Sequence, residues 1–112
     1  MPFNEALRAA AARNQSLLCI GLDPDPRRMP AGMQPGADAT YTFCMAIAEA
    51  TADLACAFKP NMAFFEALGP TGLDILRRLI ADLPGDLPVI VDAKRGDIGS
   101  TAAAYAEAIF EQ

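Results

Sequence analysis

The stretch VIVDAKRGDIGST, residues 89–101, decides how this chain is read. It belongs to a longer apolar run, LPVIVDA (87–93), that leads without a break into Asp92, Lys94, Arg95 and Asp97. A continuous run of this kind fits a parallel strand covered on both faces, where an alternating pattern would mean one wet face. Such a strand can end in charge only where the sheet stops being core. Residues two apart on a strand face the same way, so Asp92 and Lys94 are expected to project together, with Asp97 in the loop beyond.

Two upstream stretches repeat the design. SLLCIGLDPDP reads as a buried strand over 17–22, stopped by Asp23 and two prolines, and ACAFKP (55–60) is a second short run ending on Lys59. Helices fill the intervals. FNEALRAAAARN (3–14) is an Ala-rich helix with Asn4 placed to cap it. An irregular connection over 24–37 precedes a helix from Asp38 to about Leu54, with Phe43, Ile47, Ala50 and Leu54 at helical spacing. NMAFFEALG is a short helix between an Asn61 cap and a Gly69 stop. Thr71, with Asp74 three residues on, is placed to cap the next helix, which carries Leu73, Leu76, Leu79 and Ile80 and ends before Pro84. A last helix starts at Gly99–Ser100. The order is one helix and then strand–helix three times, which predicts an α/β fold with parallel strands. All three strands place polar residues at their C-terminal ends: Asp23, then Lys59 with Asn61, then Asp92 with Lys94. In parallel sheets and barrels that end carries the site.

Composition narrows the classes. The chain has 112 residues, 53% hydrophobic and 21% charged, enough for one ordinary domain with a core. No run reaches the roughly 18 apolar residues of a membrane span. The N-terminus has no apolar signal region, so no targeting segment is expected. A net charge of −5 argues against nucleic acid as a partner, though not against a small anion. Three scattered cysteines without a CxxC predict buried free thiols in a reducing cytoplasm, not a disulfide or a metal site. The absence of histidine removes imidazole acid–base chemistry and the commonest metal ligand.

Lys59, Asp92, Lys94 and Asp97 alternate in sign. A structural ion-pair network closing the mouth of the sheet would use the same residues, but desolvated pairs stabilise poorly compared with apolar packing. These residues carry a resemblance. VIVDAKRGDIGSTAAAYA resembles the signature of the orotidine 5′-phosphate decarboxylase family, D-x-K-x-x-D-I with a threonine three residues on, at Asp92, Lys94, Asp97, Ile98 and Thr101. CIGLDPDP and FKPNMAFFEALG resemble that family's first and second strand ends. KRGDIGST and the KPN triplet are similar to its longer bacterial and protozoal branch. The resemblance runs from about Leu17 to the end of the chain.

The resemblance implies the first three βα units of a (β/α)8 barrel, so that residues 1–112 form one partial, N-terminal part of a domain, with helix 3–14 ahead of the first strand. The family converts orotidine 5′-phosphate to UMP in pyrimidine biosynthesis, with no metal or organic cofactor. By the same carry-over Lys94, Asp92, Lys59 and Asp97 are catalytic, while Asp23, Lys59, Asn61, Asp97, Ile98 and Thr101 bind substrate. Asp97, Ile98 and Thr101 reach the site of the second subunit in a homodimer. Asp23 has an alternative role as a turn residue, Asn61 as a helix cap and Thr101 as part of a first helical turn. Arg95 reads as a solvent-side or interface charge. A full barrel takes about 250 residues, and the family's phosphate-binding and ring-closing groups come later in its chain. The sequence therefore looks like an N-terminal portion, inactive by itself. Two alternatives are a magnesium-dependent sugar-phosphate decarboxylase of the same superfamily and a non-catalytic module that pairs with a partner.

Overall fold

A computed structural model of the chain describes residues 1–33 and 36–112. Helix α1 (Phe3–Asn14) leads to strand β1 (Cys19–Leu22), a 3-10 turn at Pro26–Arg28 and helix α2 (Ala37–Thr51). Strand β2 (Ala57–Pro60) is followed by α3 (Met62–Glu66) and α4 (Pro70–Asp82), and α5 (Gly99–Phe110) comes last. β1 and β2 pair in parallel, from Cys19 opposite Ala57 to Leu22 opposite Pro60. Residues 34 and 35 of the expected 24–37 connection lie outside the described residues.

The third strand is present in register but not as an unbroken ladder. The 87–93 segment meets β2 in two isolated parallel bridges, Phe58 with Val89 and Asn61 with Asp92. Phe58 N–H donates to Pro88 O at 3.1 Å, and Ile90 and Asp92 donate to Phe58 O and Pro60 O at 2.8 and 3.0 Å. The missing rung falls where Pro60 would donate, and proline has no N–H to give. β2 is therefore the central strand, with β1 and the 87–93 segment on either side.

This order explains the burial. Ala57, Phe58 and Pro60 are buried, and Phe58 packs in one core with Leu22, Phe65, Leu76 and Leu79. The flanking segments are less covered than expected: Leu17 is 91% exposed, Leu18 52%, and Val89–Val91 are half-buried. Helix α2 also differs. It ends at Thr51, short of the expected Leu54, and buries Thr40, Cys44 and Ala48, four residues apart, while Ala50, and Leu54 beyond the helix, face water. Cys44 and Cys56 are buried free thiols, but Cys19 is exposed on the outer strand, which corrects the expectation for all three. Burial, with the charge of Asp23 adding to it, pushes the Cys44 thiol up to about 12.

Two expected caps are replaced by backbone devices. Pro2, at φ −57°, starts α1 ahead of Asn4, and its carbonyl accepts from Glu5 and Ala6. Gly69, at φ 76°, ends α3 by donating to Glu66 O and turns directly into Pro70, so Thr71 lies inside the first turn and makes no cap bond. At the N-terminal pole of the sheet, Asn14 Nδ2 donates to Ala52 O and Ala55 O at 2.9 and 2.8 Å, and Ser16 Oγ donates to Leu54 O. Arg13 adds a third tie there, donating to Gly85 O at 3.0 Å, so that pole is closed by side chains of and beside α1 that bond to backbone carbonyls. Among the described residues no helix is long and apolar enough to cross a membrane.

α3 and α4 meet at Gly72. A Cβ there would stand 1.8 Å from Phe65 O and 2.8 Å from Leu68 Cβ, so the two helices would have to separate. In the full-length protein Gly72→Ala is expected to destabilise by about 2–3 kcal/mol, because overpacking outweighs the roughly 1 kcal/mol gain in helix propensity. The midpoint of urea unfolding measures this, and a stabilised variant would show that α3 and α4 do not meet so closely.

Candidate active site

Backbone bonds bring the three strand ends to one level. Asn61 N–H donates to Leu22 O, Asp92 N–H to Pro60 O, and Met62 N–H to Asp92 O, each at 3.0 Å. Asn61 serves two roles at once. Its Oδ1 accepts from Ala63 N–H at 3.3 Å to start α3, and its Nδ2 donates to Asp23 Oδ2 at 3.0 Å. The first strand end is thus tied to the second by side chains as well as by the sheet.

Asp92 is the centre of the charge cluster. Lys94 Nζ donates to both its oxygens, at 2.7 and 2.6 Å, and Lys59 Nζ lies 3.5 Å from Oδ2. These are the chain's two lysines, and both converge on one carboxylate. The Asp92 side chain is 19% exposed, Lys59 38% and Lys94 75%. Ion pairs this open to water contribute little to stability. Lys94 also sits at φ 51°, in the left-handed region that costs a side-chain-bearing residue about 1–2 kcal/mol. An arrangement that returns little and costs strain is poorly explained as a staple. It leaves two cations on one anion, with Asp23 at the neighbouring strand end and a mostly exposed Lys94 ammonium that can meet an anionic ligand.

Hydrogen bonds from Lys94 hold the Asp92 carboxyl below the usual carboxylate range; partial burial opposes this, and Lys59 adds a weaker pull in the same direction. The folded value lies below the unfolded value of about 3.9, so this contribution to stability is complete above about pH 4 and is lost as pH falls through the folded value. Carbon-13 titration of Asp92 should give a midpoint below 3.9, and Lys94→Met should raise it. A wild-type midpoint at or above the ordinary value would show that the pairing does not persist in solution.

The other expected site residues stand apart. Asp97 Oδ1 accepts from Ile98 N–H at 2.7 Å, and among the described residues no hydrogen bond or ion pair joins Asp97 to Lys94 or Asp92. Ile98 is 76% exposed, and Thr101 lies half-buried in the first turn of α5. Within one chain the cluster therefore has three members, Lys59, Asp92 and Lys94. Arg95 is not a free surface charge. It pairs with Glu66 at the end of α3 and donates from Nη1 to Ala93 O at 2.7 Å. Nothing in the sequence marked Glu66, since its partner lies 29 residues away.

Known proteins resemble this chain in sequence and in fold. The profile of the orotidine 5′-phosphate decarboxylase / HUMPS family matches residues 16–112. The orotidine 5′-phosphate decarboxylase of Roseiflexus sp. (strain RS-1) is 60% identical over 111 residues, which is 99% of this chain and 40% of that protein. That of Herpetosiphon aurantiacus is 56% identical over 110 residues, 98% of this chain and 41% of its own length. Among solved structures, Leishmania donovani OMP decarboxylase superposes with a TM-score of 0.83 at 40% identity, over 99% of this chain and 40% of that one. Leishmania donovani UMP synthase gives 0.84 at 43% identity, over 99% of this chain and 23% of that one. The chain spans about two fifths of the length of the curated relatives it matches, and its parallel strands and helices are the first βα units of their TIM barrel. With the strand order, the charged strand ends and the profile match in agreement, the chain belongs to the orotidine 5′-phosphate decarboxylase / HUMPS family.

Proposed function

We propose that the protein to which residues 1–112 contribute this partial domain is a cytoplasmic carboxy-lyase. It converts orotidine 5′-phosphate to UMP, with no metal or organic cofactor. The observation that carries this reading is the convergence of Lys59 and Lys94 on Asp92 at the C-terminal ends of the strands. Loss of the carboxylate at C6 leaves a carbanion in the plane of the pyrimidine, where the ring cannot delocalise it well. Charge fixed in advance must stabilise it, and such charge acts strongly once water is excluded. Lys94 supplies the ammonium beside C6 and then gives its proton to that carbon. Asp92 faces the departing carboxylate and, with Lys59, keeps Lys94 in place.

Asp23, Lys59, Asn61 and Thr101 hold the ribose hydroxyls. The contact between Asn61 and Asp23 supports this, since it leaves both side chains oriented at the strand ends. Asp97, Ile98 and Thr101 act in the partner's site of a homodimer, with Asp97 as the fourth charge. Their separation from the cluster within one chain and the exposure of Ile98 support it. The nucleotide is the sole small-molecule partner in this scheme, with no nucleic acid and no membrane.

The test is formation of UMP and carbon dioxide from orotidylate by the full-length protein, with and without EDTA. Equal turnover in both is expected; loss of turnover in EDTA would overturn the metal-free mechanism, and no UMP under either condition would favour the magnesium-dependent sugar-phosphate chemistry. Residues 1–112 alone are expected to show no turnover, because binding energy from remote parts of a substrate drives this kind of catalysis. Turnover by residues 1–112 would mean that the three strand ends suffice.

A further inference from the structure

Lys94 holds its left-handed backbone between two anchored neighbours. Arg95 folds back across it, with Nη1 donating to Ala93 O at 2.7 Å and Nη2 bonded to Glu66 Oε1. Glu66 is the last residue of α3, and the first, Met62, donates its N–H to Asp92 O at 3.0 Å. This five-residue helix is therefore tied to the Asp92–Arg95 segment at both ends. The guanidinium also lies 5.7 Å from the ring centre of Tyr105 on α5, within cation–π range. The Arg95 side chain is 30% exposed against 75% for Lys94, so the clamp is far more enclosed than the group it frames. A planar guanidinium can engage two acceptors on separate elements in fixed geometry, which an ammonium cannot.

We propose that Arg95 and Glu66 are positioning residues that hold the Lys94 backbone in its left-handed conformation and so aim the ammonium at Asp92. The inference rests on the proposed decarboxylation for its effect on rate, but not for its effect on Lys94 itself. Without the clamp, residue 94 relaxes toward negative φ and carries Nζ away from Asp92.

The test uses Arg95→Met and Glu66→Gln in the full-length protein. Each is expected to lower kcat by about 10- to 100-fold, the cost of misplacing a reacting group. KM for orotidylate and the affinity for UMP should stay within about threefold. The double variant should be no slower than the worse single one, because the two side chains act as one unit. A second readout needs no turnover: acylation of Lys94 relative to Lys59, followed by peptide mass spectrometry. An ammonium held in two hydrogen bonds must leave them and give up a proton to solvent before its nitrogen can attack, so the ratio should rise at least about threefold in both variants. Glu66→Gln is nearly isosteric and keeps the test open should Arg95→Met fail to fold. A wild-type protein that does not turn over orotidylate would sink the proposed function, and the acylation ratio would still decide the clamp. An unchanged ratio, with kcat within twofold of wild type or with kcat and UMP affinity falling together, would overturn the clamp.

Discussion

Lys94→Ala in the full-length protein is expected to reduce turnover of orotidylate by about 10⁴-fold or more, since it removes both the proton donor and the main charge at the reacting carbon. The backbone gives no compensating relief, because alanine meets the same left-handed penalty at φ 51° as lysine does. UMP should still bind within about tenfold of wild type, held by the other strand ends. Global stability should change little, because the side chain is 75% exposed and its pairing with Asp92 is open to water. Single-turnover kinetics and UMP titration separate the two effects. A variant that kept more than a tenth of wild-type kcat would show that another group protonates C6.

Mixing two inactive variants should restore activity if the site is shared between subunits. Among the described residues Asp97 accepts from the backbone of Ile98 and makes no ion pair with Lys94, and Ile98 beside it is open to solvent. If Asp97 acts across a dimer, Lys94→Ala and Asp97→Ala chains lesion different halves of each site. In a hybrid, one site carries both lesions and the other is whole. Random exchange makes about half of the dimers hybrid, each with one good site of two, so about a quarter of wild-type activity should return. Mass-labelled chains report the exchange. Exchange without recovered activity would return Asp97 to a role within its own chain.

The positions of Asp23, Lys59, Asn61, Asp92 and Lys94 at strand ends were legible because they follow from a local pattern. Each closes a short apolar run, and a parallel sheet puts all such ends at one pole. Helix limits were legible to within a few residues for the same reason, as in α1, while α5 was expected to run to the end of the chain and stops at Phe110. Caps were less so. Asn4 and Thr71 are sound candidates by residue type, but Pro2 and Pro70 start their helices earlier. The uncovered faces of β1 and of the 87–93 segment follow from having three βα units and not from the apolar runs, because a run states what a strand can bury and not what neighbours it has.

The sequence by itself determined the α/β order, the parallel register of polar strand ends and the family signature from Asp92 to Thr101. These depend on period, composition and spacing, all of which are local. Tertiary structure alone decided that Lys59 reaches across from the central strand to Asp92, and that Lys94 takes a left-handed backbone. It also decided that Arg95 closes on Glu66 while Asp97 stays outside the cluster. Those contacts join residues up to 33 positions apart. They exist because β2 lies between its two neighbours and because α3 is short enough to end beside Arg95. Such distances are set by packing between elements, and no local period encodes them.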